Sequence, residues 1–255
     1  MITPSANTAP SATPYNADFY NDQLSGSLCS AQIIVPLVIA LLHPRSVVDV
    51  GCGVGTWLKA FAEAGVEEYM GLDGDYITAD QLLIAPSHFM AADLEHPPRL
   101  DRTFDLAVCL EVGEHLPAKS APNLVATLTA TAPCVLFSAA LPGQGGTHHV
   151  NERWPNYWQR LFAERGFVRL DPIRPQVWRN RSVEWWYKQN IYLYCRKSEI
   201  EKNSALREEA ILAAECPFEL IHTDIINPFT TLRGMARKLL YGTPRSLGRF
   251  FQLKR

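Results

Sequence analysis

No run of eighteen apolar residues occurs anywhere in this chain, so no transmembrane helix is expected. The amino-terminal stretch has no basic segment leading into an apolar one, and it does not read as a secretory signal. Cysteine is sparse, with Cys29, Cys52, Cys109, Cys134, Cys195 and Cys216 scattered and none in a CxxC pair. These spacings suggest neither a disulfide framework nor a zinc site. Several of these residues sit in apolar runs, where a free thiol behaves as a small hydrophobe, and a reduced, cytoplasmic setting is expected. An excess of positive charge is also missing. The net charge of −2 gives no global case for nucleic acid as a partner. No internal repeat is present.

What is there suits one large α/β domain with appendages. The chain has 255 residues, 47% apolar and 20% charged, enough to bury a sizeable core. Residues 1–14 are rich in Ser, Thr, Pro and Ala, offer little to bury, and are expected to be disordered. Ordered structure is expected from Tyr15, with a helix over Ser30–Leu42 that Pro36 can kink. Strand and helix signals then alternate. Strands are predicted at Ser46–Val50, Tyr69–Asp73, His88–Ala92, Phe104–Leu110, Cys134–Ala139, Phe167–Ile173 and Asn190–Cys195. Helices are predicted at Gly55–Ala64, Ala121–Thr131 and Asn151–Arg165. Such alternation implies a mostly parallel sheet with helices on both faces. The domain is bounded at 15–196. A helical and basic extension follows over 197–255, with a helix at Ser198–Ala214 and an irregular stretch at Cys216–Phe229. Thr230–Arg255 carries seven Arg or Lys and no acid. Its Leu232, Met235, Ala236, Leu239 and Leu240 recur at helical spacing. A basic amphipathic segment of this kind can lie on an anionic membrane, here the inner one, although packing on its own domain or on a partner subunit is the plainer reading.

The most informative stretch is Val47-Val48-Asp49-Val50-Gly51-Cys52-Gly53-Val54-Gly55-Thr56, a strand entering a glycine-rich turn and then a helix. Glycines allow the sharp turn and the close approach of a ligand. A dinucleotide fingerprint wants glycine where Thr56 stands. Asp49 would also repel a pyrophosphate, whereas it would attract a sulfonium ligand bearing an ammonium group. Asp73 ends the second strand about twenty residues beyond the turn, where an acid accepts hydrogen bonds from ribose hydroxyls. Gly74 gives a turn after it, and Asp75 is placed to cap a helix. Asp93, after the third strand, can accept from an adenine amino group; its alternative is a helix cap or turn residue.

These residues resemble the motifs of class I S-adenosylmethionine-dependent methyltransferases. Asp49 to Gly55 is similar to motif I and Gly71-Leu72-Asp73 to motif II. Phe104-Asp105-Leu106 through Glu111-Val112-Gly113-Glu114-His115-Leu116 is similar to motif IV and its extension. The resemblance covers residues 30–195. It implies a Rossmann-like seven-stranded sheet with the last strand antiparallel. It also implies S-adenosylmethionine as donor, held by Asp49, Gly51, Cys52, Gly53, Gly55, Thr56, Asp73, Gly74, Asp93, Leu94 and Glu111. The stretch Phe137 to Asn151, with Trp154-Pro155-Asn156-Tyr157-Trp158 and Trp185 to Asn190, resembles a bacterial group associated with surface polysaccharides.

The acceptor is accordingly expected to be a small molecule or glycan, methylated at oxygen. N- or C-methylation and a non-catalytic donor-binding scaffold are the alternatives. The Asn/Asp-Pro-Pro-Tyr/Phe signature of amino-methylating enzymes of DNA and protein is absent after the fourth strand, where Leu110-Glu111-Val112-Gly113 stands. A hydroxyl acceptor needs a base, and His148 or His149 is favoured, with His115 next. A divalent site from His148, His149, Glu152 and Glu114 is set aside, because adjacent His side chains rarely point at one ion. Trp154, Trp158, Trp178, Trp185 and Trp186, with Tyr157, Phe162 and Tyr187, suggest an aromatic wall for the acceptor. Arg174, Arg179, Arg181 and Lys188 are candidates for a phosphate or carboxylate, or are solvated surface.

Overall fold

The computed structural model describes the backbone of residues 17–215 and of His222. The predicted disordered amino terminus, the basic 230–255 segment and all but His222 of the irregular stretch before it lie outside the described residues. Seven strands form one sheet: β1 (Ser46–Val50), β2 (Glu68–Asp73), β3 (Phe89–Ala91), β4 (Leu106–Leu110), β5 (Cys134–Ser138), β6 (Phe167–Leu170) and β7 (Tyr192–Arg196). Their order is β3-β2-β1-β4-β5-β7-β6. β7 alone runs against its neighbours, pairing antiparallel with β5 and β6. The expected Rossmann-like sheet with an antiparallel last strand is thus present.

The two faces follow from strand periodicity. In β4, Leu106, Val108 and Leu110 join one core, and Ala107 and Cys109 join the other. All five are buried, as befits a central parallel strand covered on both sides. The first face is covered by α1 (Ala17–Leu42) and α2 (Thr56–Glu63). In α1, Ala31, Ile34, Val35 and Val38 are buried, the i, i+3, i+4, i+7 stripe of a helix lying on a core. The second face is covered by α3 (Ala121–Thr131) and α4 (Pro155–Ala163). There Phe162, fully buried, stacks on Tyr194 with ring centroids 3.9 Å apart and meets Phe137 edge-on. Cys134 and Cys195 are register partners across β5 and β7, buried free thiols with sulfurs 2.7 Å apart.

Four expectations about the elements are corrected. The first helix begins well before Ser30, at Ala17. No helix follows β2; residues 74–85 run as turns into a short 3-10 turn at Pro86–His88. The predicted Asn151–Arg165 helix starts only at Pro155, because the residue before a proline avoids helical geometry; Trp154 sits at φ −64°, ψ 150°. The predicted Ser198–Ala214 helix is two, α7 (Lys197–Lys202) and α8 (Ser204–Glu215), with α5 (Arg174–Val177) and α6 (Trp185–Asn190) preceding them. Asn203 makes the break: its side chain accepts from the amides of Ala205 and Leu206 at 2.9 and 3.2 Å, capping α8. Ile200, Leu206 and Ala213 are buried in the first core, so these helices pack on the sheet.

Candidate functional site

The carboxyl ends of β1, β2, β4 and β5 carry the glycine turn, Asp73, Glu111 and the three candidate histidines. β1 leaves the sheet at Gly51, whose amide donates to Leu72 of β2 at 2.7 Å. Gly51 has φ +88°, and a Cβ there would lie 2.2 Å from Val112, so both the turn and the close packing require glycine. Gly53 also has positive φ, and a Cβ there would meet nothing within 4 Å. Open space therefore lies directly over the turn. Asp73, 5% exposed, ties the turn to β2. Its Oδ2 accepts from the Gly53 amide at 2.7 Å, and its Oδ1 accepts from the Gly74 amide at 2.7 Å and from the Tyr76 hydroxyl.

Asp49 is 2% exposed, and among the described residues no cation pairs with it. Burial first, and the neighbouring Asp73 second, push its carboxyl well above the usual range. Burial and the same two aspartates raise the Cys52 thiol. Asp93 follows β3 and makes contacts within its own turn. Its side chain, mostly exposed, accepts from the Glu95 amide and pairs with His96. The His96 contact, with the Glu95 amide, holds its carboxyl below the usual range.

After β4 the chain turns sharply. Glu111 has φ +55°, an uncommon conformation for a residue with a side chain, of the kind that clusters at functional sites. Its amide donates to the Ser138 carbonyl, and its carboxylate accepts from Gln144 Nε2 at 2.9 Å and Asn190 Nδ2 at 3.1 Å. Asn190 also donates to Gln144 Oε1 at 2.9 Å. This amide pair escaped the sequence reading, because residues 46 positions apart in sequence meet only through the packing of α6 against the β5 loop. Glu114 is fully buried, and neither carboxylate oxygen closes a hydrogen bond. The amides of Glu114 and Ala140 approach it without completing one. Burial, and then Glu111, raise its carboxyl well above the usual range.

The loop after β5 is stitched to this turn. The Val150 and Asn151 amides donate to the Glu114 carbonyl at 2.8 and 3.0 Å, and Asn151 Nδ2 donates to Gly113. The result brings His149 beside His115, ring centroids 4.9 Å apart and edge-to-face. Glu152 holds the loop by accepting from the Gly143 and Gly145 amides at 2.7 and 2.8 Å. It also accepts from His149 Nδ1 at 3.1 Å, leaving Nε2 without its proton in the neutral ring. Burial opposes ionisation of Glu152, but the bonds from His149 and the two glycine amides win and lower its carboxyl. His148, by contrast, is exposed at φ +57°. One edge of His115 is open to solvent, yet surrounding protein atoms and then His149 push its imidazole down to about 4. The two histidines that meet are therefore His115 and His149, not the adjacent pair His148 and His149.

The predicted aromatic wall does not form as one surface. Trp158 is buried in the second core beneath Gly113, and Tyr187 is buried against Trp57 and Ser27. Trp154 is 44% exposed, and Trp178 packs on His222. Nor are Arg174 and Lys188 solvated. Arg174 is buried, bonded to Asp171 at 2.6 Å and to the Gln189 carbonyl at 3.0 Å, and Lys188 is buried with Nζ 3.1 Å from the Asn180 carbonyl.

A model of the methyltransferase domain family, described as "Methyltransferase domain", matches residues 27–190. This chain belongs to the methyltransferase domain family. The expectation of a methyltransferase domain is borne out at the level of the family. Malonyl-[acyl-carrier protein] O-methyltransferase of Pseudescherichia vulneris is 32% identical over 131 residues, 48% of this chain and 49% of the relative. The chain thus spans about half the length of that curated relative. The fold is shared with DesVI of Streptomyces venezuelae, at TM-score 0.53 and 16% identity over 70% of this chain and 95% of that one. It is also shared with CalS10 of Micromonospora echinaspora, an amino pentose methyltransferase solved with S-adenosylmethionine bound. There the TM-score is 0.52 and the identity 15%, over 75% of this chain and 100% of that one.

Proposed function

We propose that this methyltransferase transfers the methyl group of S-adenosylmethionine to a hydroxyl oxygen of a small molecule or glycan. The observation that carries the reading is the glycine turn held between Asp73 and a buried Asp49 that no cation among the described residues neutralises. That anionic cradle, with open space over Gly53, fits a donor bearing a sulfonium and an ammonium and opposes a pyrophosphate. Asp49 attracts the cationic end, and Asp73 accepts from ribose hydroxyls. Bound S-adenosylmethionine supplies an electrophilic methyl carbon. The protein must align the acceptor oxygen with it and remove the oxygen's proton. His149 suits that removal, since Glu152 fixes its tautomer and leaves Nε2 free to accept.

The relative that methylates oxygen on a carrier-bound malonyl group supports the oxygen assignment, and the amino pentose enzyme supports a sugar-sized acceptor. The test is conversion of S-adenosylmethionine to S-adenosylhomocysteine by the full chain against panels of hydroxylated sugars, amino sugars and carboxylic acids. Turnover with a hydroxylated sugar that gives an O-methyl product supports the reading. Turnover confined to amines overturns the oxygen assignment, and no binding of either nucleoside overturns the donor.

A further inference from the structure

The turn after β4 and the loop after β5 bring together three groups able to ligate a metal. A carboxylate oxygen of Glu114 and one imidazole nitrogen each of His115 and His149 all lie within 4.8 Å of one another. A tetrahedral ion with bonds of about 2.0–2.2 Å sets its ligands about 3.4 Å apart, so a small contraction completes the set.

Two further observations point to a ligand. Glu114 is fully buried, and although the Glu114 and Ala140 amides and the Glu111 carboxyl approach its oxygens, neither oxygen completes a hydrogen bond. Burying a carboxyl without partners costs free energy that an ion would recover. One of the two imidazoles also has its outer partner in place. His149 Nδ1 donates to Glu152 at 3.1 Å. Metal-bound histidines characteristically hand their second nitrogen to a carboxylate or a backbone carbonyl in this way. Gly146 packs closely against the His149 ring, since a Cβ there would lie 2.3 Å from Nε2.

We propose that Glu114, His115 and His149 form a binding site for one divalent transition ion of the zinc or cobalt kind. Two nitrogens and one oxygen suit such an ion better than magnesium or calcium, which prefer oxygen throughout. Three protein ligands leave a coordination position open, and the exposed edge of His115 faces solvent. Resting on the reading of this group as the acceptor's site, the open position takes the acceptor hydroxyl and lowers its pKa. The hydroxyl proton passes to solvent. The oxygen lone pair then forms the new bond to the methyl carbon as the carbon–sulfur bond breaks, leaving its pair on sulfur. His149 then serves as ligand rather than base.

The test is a Co2+ titration of the chelator-stripped full chain, followed by calorimetry and the visible spectrum. The wild type should bind one equivalent without thiolate charge transfer. His149→Ala and His115→Ala should each weaken binding at least tenfold, and Glu152→Gln by about 10–100-fold through the lost outer partner. His148→Ala should bind as the wild type does, and circular dichroism checks that each variant is folded. No binding by the wild type, a cobalt–thiolate spectrum, or equal affinity in the His115→Ala/His149→Ala double variant would overturn the site. Binding does not depend on turnover. A protein that takes Co2+ but never consumes S-adenosylmethionine keeps the site and loses the methyltransferase reading; turnover unaffected by chelator, in a protein that binds no Co2+, does the reverse.

Discussion

Replacing Asp49 by Asn should make the free protein more stable and the donor-bound protein less so. Asp49 is 2% exposed with no paired cation among the described residues, and Asn preserves its shape. The folded carboxyl titrates well above the unfolded value, for burial first and Asp73 second. The folded state therefore holds its proton at pH values where the unfolded chain, with a carboxyl near about 3.9, has released it. Stability falls as pH rises through that window, and the loss is complete above the folded pKa. Asn does not titrate, so its advantage over Asp49 grows with pH and then levels off. An uncompensated buried polar group costs about 1–3 kcal/mol, and a domain of this size gains about 2–4 °C in Tm per kcal/mol. Thermal unfolding of both proteins at pH 5 and pH 8 reads the difference, which should be larger at pH 8. With S-adenosylmethionine at about 100 times its Kd, the wild type gains about 2.7 kcal/mol, while the variant gains little, and the order of Tm reverses. If the Asp49→Asn variant is less stable than the wild type at pH 8 without donor, or is stabilised by donor as strongly, the electrostatic account of the cradle is wrong.

Three further outcomes are expected. His149→Ala should lower the methylation rate by about 10²–10⁴-fold while His148→Ala leaves it near normal, because only His149 is oriented by Glu152; steady-state rates of both variants decide this. Asp73→Ala should weaken S-adenosylmethionine by about 1–3 kcal/mol, read by calorimetry, since it removes an acceptor for the ribose and the anchor of Gly53 together. Phe162→Ala should destabilise by about 3–5 kcal/mol in denaturant unfolding, because the ring is fully buried between Phe137, Phe167 and Tyr194.

The sequence by itself determined the sheet and the glycine turn with its two aspartates. Strands such as Leu106–Leu110 are continuous apolar runs, and the Gly51–Gly55 turn with Asp49 and Asp73 is defined by short-range spacing. Both signals are local, so reading along the chain recovers them. Local chemistry also decided two boundaries that periodicity overran, Pro155 at the start of α4 and Asn203 between α7 and α8. Only the tertiary structure set the two adjacent histidines apart. His148 and His149 are equal in sequence, but the hydrogen bonds from Val150 and Asn151 to Glu114 fix the loop so that one faces outward and the other lies against His115. The same long-range stitching joins Gln144 and Asn190 on Glu111, buries Glu114, and sinks Trp158 and Arg174 into the interior. Those placements depend on contacts between segments far apart in the chain, 33 residues for Glu111 with Gln144 and 79 for Glu111 with Asn190. No period or motif in one segment encodes the partner supplied by another.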